Sequence, residues 1–473
     1  MSTLIKDKNS TDKIMTRLLI ALTPIILFAV YKNGIVPYVN NRIEFVDIFY
    51  PLLFILLPAL ITFSSELVFG LLVKKKKGKE LFEFAKNSYA FFPGLFLGLI
   101  CPITLPISIL IIGALAASIL GKLVYGGFGQ NIFNPALIGY VVIVFSYSLF
   151  FSSNAYLNKY EVDTIGGSTP LTTIKSLDSN ISYNTIVEPY GNLGDFFLGF
   201  IPGSVGEVSS VLCIIAFIYL ALTKTIKWQI PVFYIGTVFV LTTIIGIILG
   251  QGIYYPLVYL LSGGLLFGAI FMATDPVTSP VTKPGMILGA IIMGILTVFL
   301  RYNSSFPEGV ATSILVMNLL TFILDRIGFN IKFSLKKCII PVLILICIMV
   351  SVVVVSTDKF NNDNNFDSKF KLISKKIENN KVIYEASEKG YSSNIKAIIE
   401  IENGKITKFE IKEHNESFYS MVEKENYITK LINNASNLDE VDTVSGATFT
   451  SGALKKLLIN VISDYEKEGD VVR

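Results

Sequence analysis

Two threonines follow small residues in a spacing that suits the close approach of a phosphate group. The first is Thr448, with an acid, Asp442, six positions before it and three small residues between them, Ser445, Gly446 and Ala447. Glycine and alanine leave the backbone uncovered, so a phosphate can come close to the threonine hydroxyl. The alternative is an ordinary turn that leads into the next helix. Four residues alone do not decide between the two.

The second copy lies far away in the chain, in a long loop of an otherwise hydrophobic region. Asp163 precedes Thr169 by six positions, and the residues directly before the threonine are again small, namely Gly166, Gly167 and Ser168. A repeat of the same spacing in a second setting makes a chance match less plausible than either motif alone. The sequence therefore predicts two related sites.

Ser445–Thr448 resembles the flavinylation motif of the FMN-binding domains in Rnf and Na⁺-translocating quinone reductase complexes. The resemblance implies that Thr448 carries FMN through a phosphodiester bond, placed by a dedicated flavin transferase. Thr169, followed by Pro170-Leu171, resembles the flavinylated threonine of the RnfD family and of its quinone reductase counterpart, NqrB. Two covalent FMN groups are therefore expected, with the acids and small residues of each motif around them.

The Thr169 motif departs from the family pattern at two positions. Gly166 stands where the family usually has Ser or Thr, and Ser168 replaces the usual Ala. Thr448 is therefore the more secure of the two attachment sites, and flavinylation of Thr169 stays open on the sequence alone.

Composition places the chain among membrane proteins. Hydrophobic residues make up 52% and charged residues 16%, and the mean hydropathy is +0.61. The four cysteines form no Cys-x-x-Cys pair and His414 is the single histidine, which argues against a cluster, zinc or bis-histidine haem site held by this chain alone. Redox chemistry would then require an organic cofactor.

The hydrophobic pattern predicts about ten membrane helices followed by one more, a polytopic α-helical protein. Several of the runs are short or interrupted by Gly and Pro. They lie near Leu18–Tyr31, Ile48–Val73, Tyr89–Ile100, Ile107–Val124, Ile132–Phe150, Val208–Leu222, Ile230–Leu249, Leu257–Met272, Met286–Leu300, Val310–Leu324 and Ile339–Val355.

Lys and Arg are distributed unequally between the two predicted faces. One side holds 18 and the other 5 through Thr357, which predicts a cytoplasmic N-terminus. An odd number of spans places everything after Thr357 outside, and the same parity places the Phe151–Phe196 loop outside. Thr169 and Thr448 are thus expected on one extracytoplasmic face of a bacterial cytoplasmic membrane.

After Thr357 the composition becomes that of a soluble domain. Strands are predicted at Lys381–Ala386, Ile395–Ile401 and Ile406–Glu413, and helices at Phe418–Asn434 and Gly452–Tyr465. This pattern resembles the small α+β FMN-binding domain of the RnfG family. We therefore expect a membrane domain at 1–336, a tether helix at 337–357 and an extracytoplasmic domain at 358–473.

The membrane region resembles the RnfD family at three further places. These are the glycine-rich motif Gly126–Pro135, the stretch Phe271–Val277, and Phe306–Gly309 shortly before Met317-Asn318. The alternative is a set of Gly/Pro breaks that pack helices together. Phe91-Phe-Pro93 and Tyr254-Tyr-Pro256 also open corresponding helices, which suggests an inverted repeat.

Three acids lie in or beside the apolar spans, where ionisable groups are costly unless paired or hydrated. Glu66, Asp275 and Glu308 are candidates for an ion pathway. The structural alternatives are that Asp275 caps a broken helix and that Glu66 snorkels or pairs with the Lys74–Lys77 run. A structural role is favoured for Glu308.

The resemblance implies an Rnf-type ion-translocating complex that moves electrons between ferredoxin and NAD, coupled to Na⁺ or H⁺. Since the chain has no Gly-x-Gly-x-x-Gly motif and no cluster ligands, the NAD site and iron–sulfur clusters are expected on partner subunits. Membrane lipid is the other expected partner, nucleic acid is not, and a non-covalent riboflavin stays open. The alternatives are a component of a Na⁺-translocating quinone reductase and a solute transporter with an appended flavin sensor.

Overall fold

The computed structural model divides the chain into two units, Met1–Phe360 and Asn361–Arg473. It describes residues 10–151, 169–176, 182–206, 209–303, 309–330 and 348–354 of the first. In the second it describes 371–466, without 379–380, 390–393, 403, 414–418, 436–437, 439–440, 442–443 and 445–447. Each unit has its own hydrophobic core.

The described part of the first unit is helical. Its longer helices carry the bundle and its shorter ones lie in the connections and breaks. In chain order they are α1 Thr11–Val30, α2 Tyr50–Leu72, α3 Lys79–Asn87, α4 Phe92–Ile100, α5 Ile107–Ile119, α6 Pro135–Ser146, α7 Pro170–Ser176, α8 Tyr183–Ile186, α9 Leu193–Leu198, α10 Ser210–Leu222, α11 Gln229–Ile248, α12 Tyr254–Leu261, α13 Leu265–Phe267, α14 Lys283–Asn303 and α15 Val310–Asn330.

Six helices of the described chain are long and apolar enough to cross a membrane, or seven if α12 and the turn after it form one span. That pair, Tyr254–Leu261 and Leu265–Met272, is bent by 62°. The predicted class, a polytopic α-helical membrane protein, is confirmed. The count is lower than eleven because α4, α6 and α10 are short, and only residues 348–354 of the predicted tether are described, as helix.

The short helices end inside the bundle, where water cannot satisfy their last carbonyl groups. At the end of α4, the Leu99 carbonyl accepts the Gly206 N–H at 2.8 Å. At the end of α12, the buried Arg301 guanidinium donates to the carbonyls of Tyr259 and Ser262. Backbone and cation therefore replace the missing helical partners, which makes the breaks stable parts of the fold.

The second unit is an antiparallel sheet packed against helices. The strands β1 Lys371–Glu378, β2 Lys381–Lys389, β3 Asn394–Glu402 and β4 Lys405–Glu413 follow one another in the sheet. Alternate residues of β3, from Ile395 to Ile401, are buried, as expected for a sheet with one covered face. The helices are α16 Tyr419–Lys424, α17 Tyr427–Asn433 and α18 Thr448–Glu466.

The predicted α+β class of this unit is confirmed, with three differences in detail. β1 was not predicted, because its run of lysines and exposed apolar residues does not alternate as a half-buried strand does. The single helix predicted over Phe418–Asn434 is two, separated at Asn426, whose φ of +49° interrupts the helix. The last helix begins at Thr448, four residues earlier than predicted.

Candidate functional site

Thr448 is the first residue of α18, so its backbone lies at the N-terminus of a 19-residue helix. Just before it, Val444 donates its N–H to the Ser451 hydroxyl at 3.0 Å. Lys455 donates to the Val441 carbonyl at 3.0 Å. These bonds fix the entry to the helix, whose first turn presents N–H groups and the positive end of the helix dipole. That environment suits a phosphate.

Thr169 lies directly before α7 and acts as its N-terminal cap. Its hydroxyl lies 3.4 Å from the Thr172 N–H and 3.2 Å from the Thr172 hydroxyl. Thr172 in turn donates to the Thr169 carbonyl at 2.7 Å. Thr169 is only 3% exposed, and Leu171 and Ile174 are buried beside it. The oxygen that would carry FMN is therefore also part of a helix cap.

Both predicted attachment residues thus occupy the same kind of position, at the start of a helix. The remaining residues of the two motifs lie outside the described part of the chain. They are Asp163, Gly166, Gly167, Ser168, Asp442, Ser445, Gly446 and Ala447.

Glu66 forms a buried ion pair with Lys122 instead of pairing with the Lys74–Lys77 run. Its carboxylate also accepts a hydrogen bond from the Ser88 hydroxyl. The Lys122 and Glu66 side chains are 3% and 1% exposed, and Lys122 donates to the Ser88 carbonyl at 2.6 Å. Both charges are buried and both accept or donate hydrogen bonds. Removing either partner would therefore leave an uncompensated charge in the interior, which destabilises the fold.

Asp275 lies at a cleft of about 700 Å³, open mouth included, in the first unit. The Thr278 hydroxyl donates to its carboxylate at 2.9 Å. Lys122 lines the same cleft, so the cation of the Glu66 pair and the Asp275 carboxylate border one space. Glu308, the third candidate acid, lies outside the described residues.

The walls of the cleft combine aromatic rings with a few polar groups. The polar ones besides Lys122 and Asp275 are Asn131, Asn134, Thr225 and Thr274, and the rings are Tyr89, Phe92, Phe96, Phe128 and Phe271. The Tyr89 hydroxyl donates to the Asp12 carboxylate, and the Tyr89 ring meets that of Phe128 edge to face at 5.3 Å. Contacts at both ends of the side chain therefore hold this ring in place at the cleft.

Hydrogen bonds join three of the sequence stretches that resemble the RnfD family. Asn134, at the end of the glycine-rich motif, donates its side-chain amide to the Met272 carbonyl at 3.4 Å. Its backbone N–H donates to the Asn318 side chain at 3.0 Å, and Asn318 donates to the Thr278 carbonyl at 3.2 Å. Segments up to 184 residues apart are thus tied together at Asn134, which itself lines the cleft.

Two charged residues of this region were missed as site residues in the sequence. Lys122 is one of the 18 basic residues on the predicted cytoplasmic side, and a lone lysine after a long apolar helix is also a signal for a buried partner. Asp325 accepts the N–H groups of Val281 and Thr282, at 3.0 and 2.8 Å, just before α14 begins. Asp325 belongs to α15 but caps the N-terminus of α14. A contact between two separate helices is not visible in a local sequence pattern.

The chain matches two families. The profile described as the NQR2, RnfD, RnfE family covers residues 1–333, and that of the FMN-binding domain covers residues 390–463. A similar curated protein is named as a subunit of the "Proton-translocating ferredoxin:NAD(+) oxidoreductase complex" of Clostridium ljungdahlii. It is 34% identical over 329 residues, 69% of this chain and 92% of the relative.

Two other relatives carry corresponding names. A subunit of the "Na(+)-translocating ferredoxin:NAD(+) oxidoreductase complex" of Acetobacterium woodii is 31% identical, covering 68% of this chain and 90% of its own. A subunit of the "Ion-translocating oxidoreductase complex" of Haemophilus influenzae is 30% identical, with 60% and 87% coverage. The chain belongs to the NQR2, RnfD, RnfE family and carries in addition an FMN-binding domain at its C-terminal end.

Proposed function

We propose that this chain is the membrane subunit of an Rnf-type ferredoxin:NAD oxidoreductase complex and relays electrons through FMN while Na⁺ or H⁺ is translocated. The observation that carries the proposal is the presence of an RnfD-type membrane unit and an FMN-binding domain in one chain. Relatives of the membrane unit are named as subunits of such complexes. Iron–sulfur clusters and the NAD site are assigned to partner subunits.

The test uses inverted membrane vesicles from cells that make the complex. Reduced ferredoxin should drive NAD⁺ reduction together with uptake of ²²Na⁺ or acidification of the interior, and deletion of this chain should abolish both. Ferredoxin-independent reduction of a quinone by NADH would instead identify a quinone reductase. Normal redox activity without this chain, with loss of a solute uptake, would favour the transporter alternative.

Covalent FMN at Thr448 and Thr169 is the second part of the proposal. The start of α18 suits the phosphate end of FMN, because a helix N-terminus stabilises an anion. At Thr169 the phosphodiester oxygen would still accept the hydrogen bond from the Thr172 N–H that the threonine hydroxyl now accepts. FMN exchanges one or two electrons and so can connect clusters to NAD. A dedicated flavin transferase would attach both groups.

We assign Glu66 and Asp275 different roles. Glu66 neutralises and positions Lys122, because both carboxylate oxygens are already engaged, by Lys122 and Ser88. Asp275 borders the cleft, is held by Thr278 and is the candidate to meet the translocated ion. In the vesicle assay, Asp275→Asn should reduce ion uptake per NADH by about tenfold at an unchanged protein level. Unchanged uptake would remove Asp275 from the pathway.

The cleft is also the place for a non-covalent flavin such as riboflavin. Its aromatic walls suit a planar ring system, and its amide and charged groups suit the polar ring edge. Mild acid should then extract one flavin per chain even when neither threonine carries FMN. Absence of extractable flavin in intact complex would contradict this assignment.

The orientation completes the proposal. The N-terminus is placed in the cytoplasm and the C-terminal unit outside, on the strength of the charge asymmetry. Both flavin threonines would then lie on the outer face.

A further inference from the structure

A basic segment follows directly on a membrane span. The span Phe45–Leu72 ends with the last residue of α2. Residues 74–86, which follow it, contain six lysines and only two acids, Glu80 and Glu83. Five of the lysines are exposed, namely Lys74, Lys75, Lys77, Lys79 and Lys86. The last part of the segment is the helix α3, Lys79–Asn87.

Helix α3 packs against the last turns of α2 and does not point away from the bundle. The Phe82 ring lies 5.8 Å from the Phe63 ring of α2, edge to face. Leu81 and Phe84 pack against Gly70, where an added Cβ would lie 2.7 and 2.9 Å from their side chains. Phe63 precedes the last residue of α2 by nine positions, about 13 Å along a helix. Phe82 therefore lies at the depth of the membrane span.

Phe82 is nonetheless 58% exposed, so it faces outward at a depth where the surroundings are lipid. The lysines next to it lie along aromatic rings. The Lys74 ammonium lies 5.9 Å from the Phe69 ring, and that of Lys76 lies 5.1 Å from the Phe84 ring. Lysines placed in this way keep their stems on apolar surface and their charges at the polar boundary.

We propose that the basic segment 74–86 is an interfacial binding site for anionic phospholipid headgroups, with Phe82 as its anchor among the acyl chains. The exposed lysines supply the positive charge that phosphate headgroups attract. An amphipathic helix with an aromatic residue on its lipid side lies in the boundary plane. An acidic protein surface would complement the lysines equally, but it would not account for an exposed phenylalanine at bilayer depth.

The test places a fluorescent reporter at the anchor. Trp228 is the single tryptophan, so Trp228→Phe combined with Phe82→Trp gives one reporter in the full chain. The chain is reconstituted in nanodiscs of phosphatidylcholine with a tenth of the lipid as phosphatidylglycerol. In one preparation the phosphatidylglycerol carries brominated acyl chains, and in the other an equal fraction of phosphatidylcholine does. Bromine quenches tryptophan only at contact.

At low salt, the brominated anionic lipid should quench the reporter more strongly than the brominated neutral lipid. The difference should correspond to a local concentration of the anionic lipid at least about threefold higher. The preference should decline toward equality near 1 M salt, where the Debye length falls to about 3 Å. Replacing four lysines together, Lys74→Gln, Lys75→Gln, Lys77→Gln and Lys79→Gln, should abolish it. The matched control removes the same charge from exposed lysines of the C-terminal unit, Lys371→Gln, Lys376→Gln, Lys405→Gln and Lys456→Gln, and should leave the preference unchanged.

Three results would overturn the proposal. Equal quenching by both brominated lipids would mean that α3 touches the bilayer without selecting headgroups. No quenching by either lipid would place α3 away from the bilayer and leave the lysines to a partner protein. An equal loss of preference in the control variant would make the effect one of overall charge.

Discussion

The two units differ in how far their described ion pairs are buried. In the membrane unit, the Glu66–Lys122 pair is almost completely buried, with side chains 1% and 3% exposed. In the C-terminal unit, the most buried side chain in a described ion pair is 16% exposed, and both partners of Lys430–Glu425 are more than half exposed. Exposed pairs contribute little because water and salt screen them, whereas a buried charge without its partner is very costly. Single charges should therefore matter in the first unit and be replaceable in the second.

The two threonines proposed to carry FMN also differ in their positions. Thr169 is buried and caps a seven-residue helix of the membrane unit, while Thr448 starts a 19-residue helix of the small domain. Attachment at Thr169 requires a flavin transferase to reach a hydroxyl that the fold covers, so we expect that step before the loop packs. The same attachment reaction would therefore need different access to the chain at Thr169 and at Thr448.

The largest expected effect is the loss of covalent flavin. Thr448→Val replaces the attachment oxygen by a methyl group of similar shape, so ultraviolet fluorescence of the chain on a denaturing gel should fall by half. Adding Thr169→Val should remove the rest. Thr450→Val is the matched control, two residues further along the same helix, and should retain full fluorescence. Full fluorescence in the double variant would exclude both sites.

An all-or-none result is expected in a test of the predicted membrane topology. Single cysteines placed by Ser153→Cys and Asn361→Cys should both react with a membrane-impermeant thiol reagent in intact cells. The chain without added cysteine gives the background, and Cys101 and Cys213 are buried. Reaction at one site but not at the other would break the claim that both flavins share a face.

A large loss of stability is expected when the buried pair is broken. Glu66→Gln leaves the Lys122 charge without its partner, which costs about 3–5 kcal/mol in comparable sites. The melting temperature of the detergent-purified chain should therefore fall clearly. The double substitution Glu66→Gln with Lys122→Met should recover most of the loss.

Glu80→Gln, at an exposed acid of α3, provides the control and should change the melting temperature very little. If Glu66→Gln were as mild as Glu80→Gln, the pair would not be a structural element, and an ion-carrying role for Glu66 would regain support.

Much of the fold was predictable because hydrophobic length and alternation are local properties of the sequence. The strands β2, β3 and β4 and most membrane helices were predicted from them. The break within Phe418–Asn434 was not, since it depends on a left-handed Asn426. Short helices were predicted as spans for the same reason, because composition does not show where Gly206 or Arg301 supports a helix end.

The candidate site was predicted less completely. Thr169, Glu66 and Asp275 were identified from residue type and spacing, yet the partner of Glu66 was not. Lys122 lies 56 positions away along the chain, and Asn134 meets Asn318 across 184. Such pairs depend on how the helices cross in three dimensions. The crossing geometry cannot be read from a single sequence.

The smallest effect is expected at an exposed pair of the C-terminal unit. Lys412 donates to Glu385 at 2.8 Å across the sheet, and together with the Ser374 hydroxyl it holds the pKa of Glu385 below its ordinary value. A carboxyl group whose pKa is lower in the folded state than in the unfolded state stabilises the fold at pH values above its ordinary pKa. This contribution is lost as the pH falls through the folded-state pKa. Because water screens the pair, Glu385→Gln should leave the melting temperature of the unit at pH 7 within about 1 °C. The difference in melting temperature between the Glu385→Gln variant and the unsubstituted chain should be smaller still below about pH 4. Thermal unfolding at pH 7 and below about pH 4 measures the two differences. A loss at pH 7 as large as that of Glu66→Gln would contradict the distinction between buried and exposed charge that separates the two units.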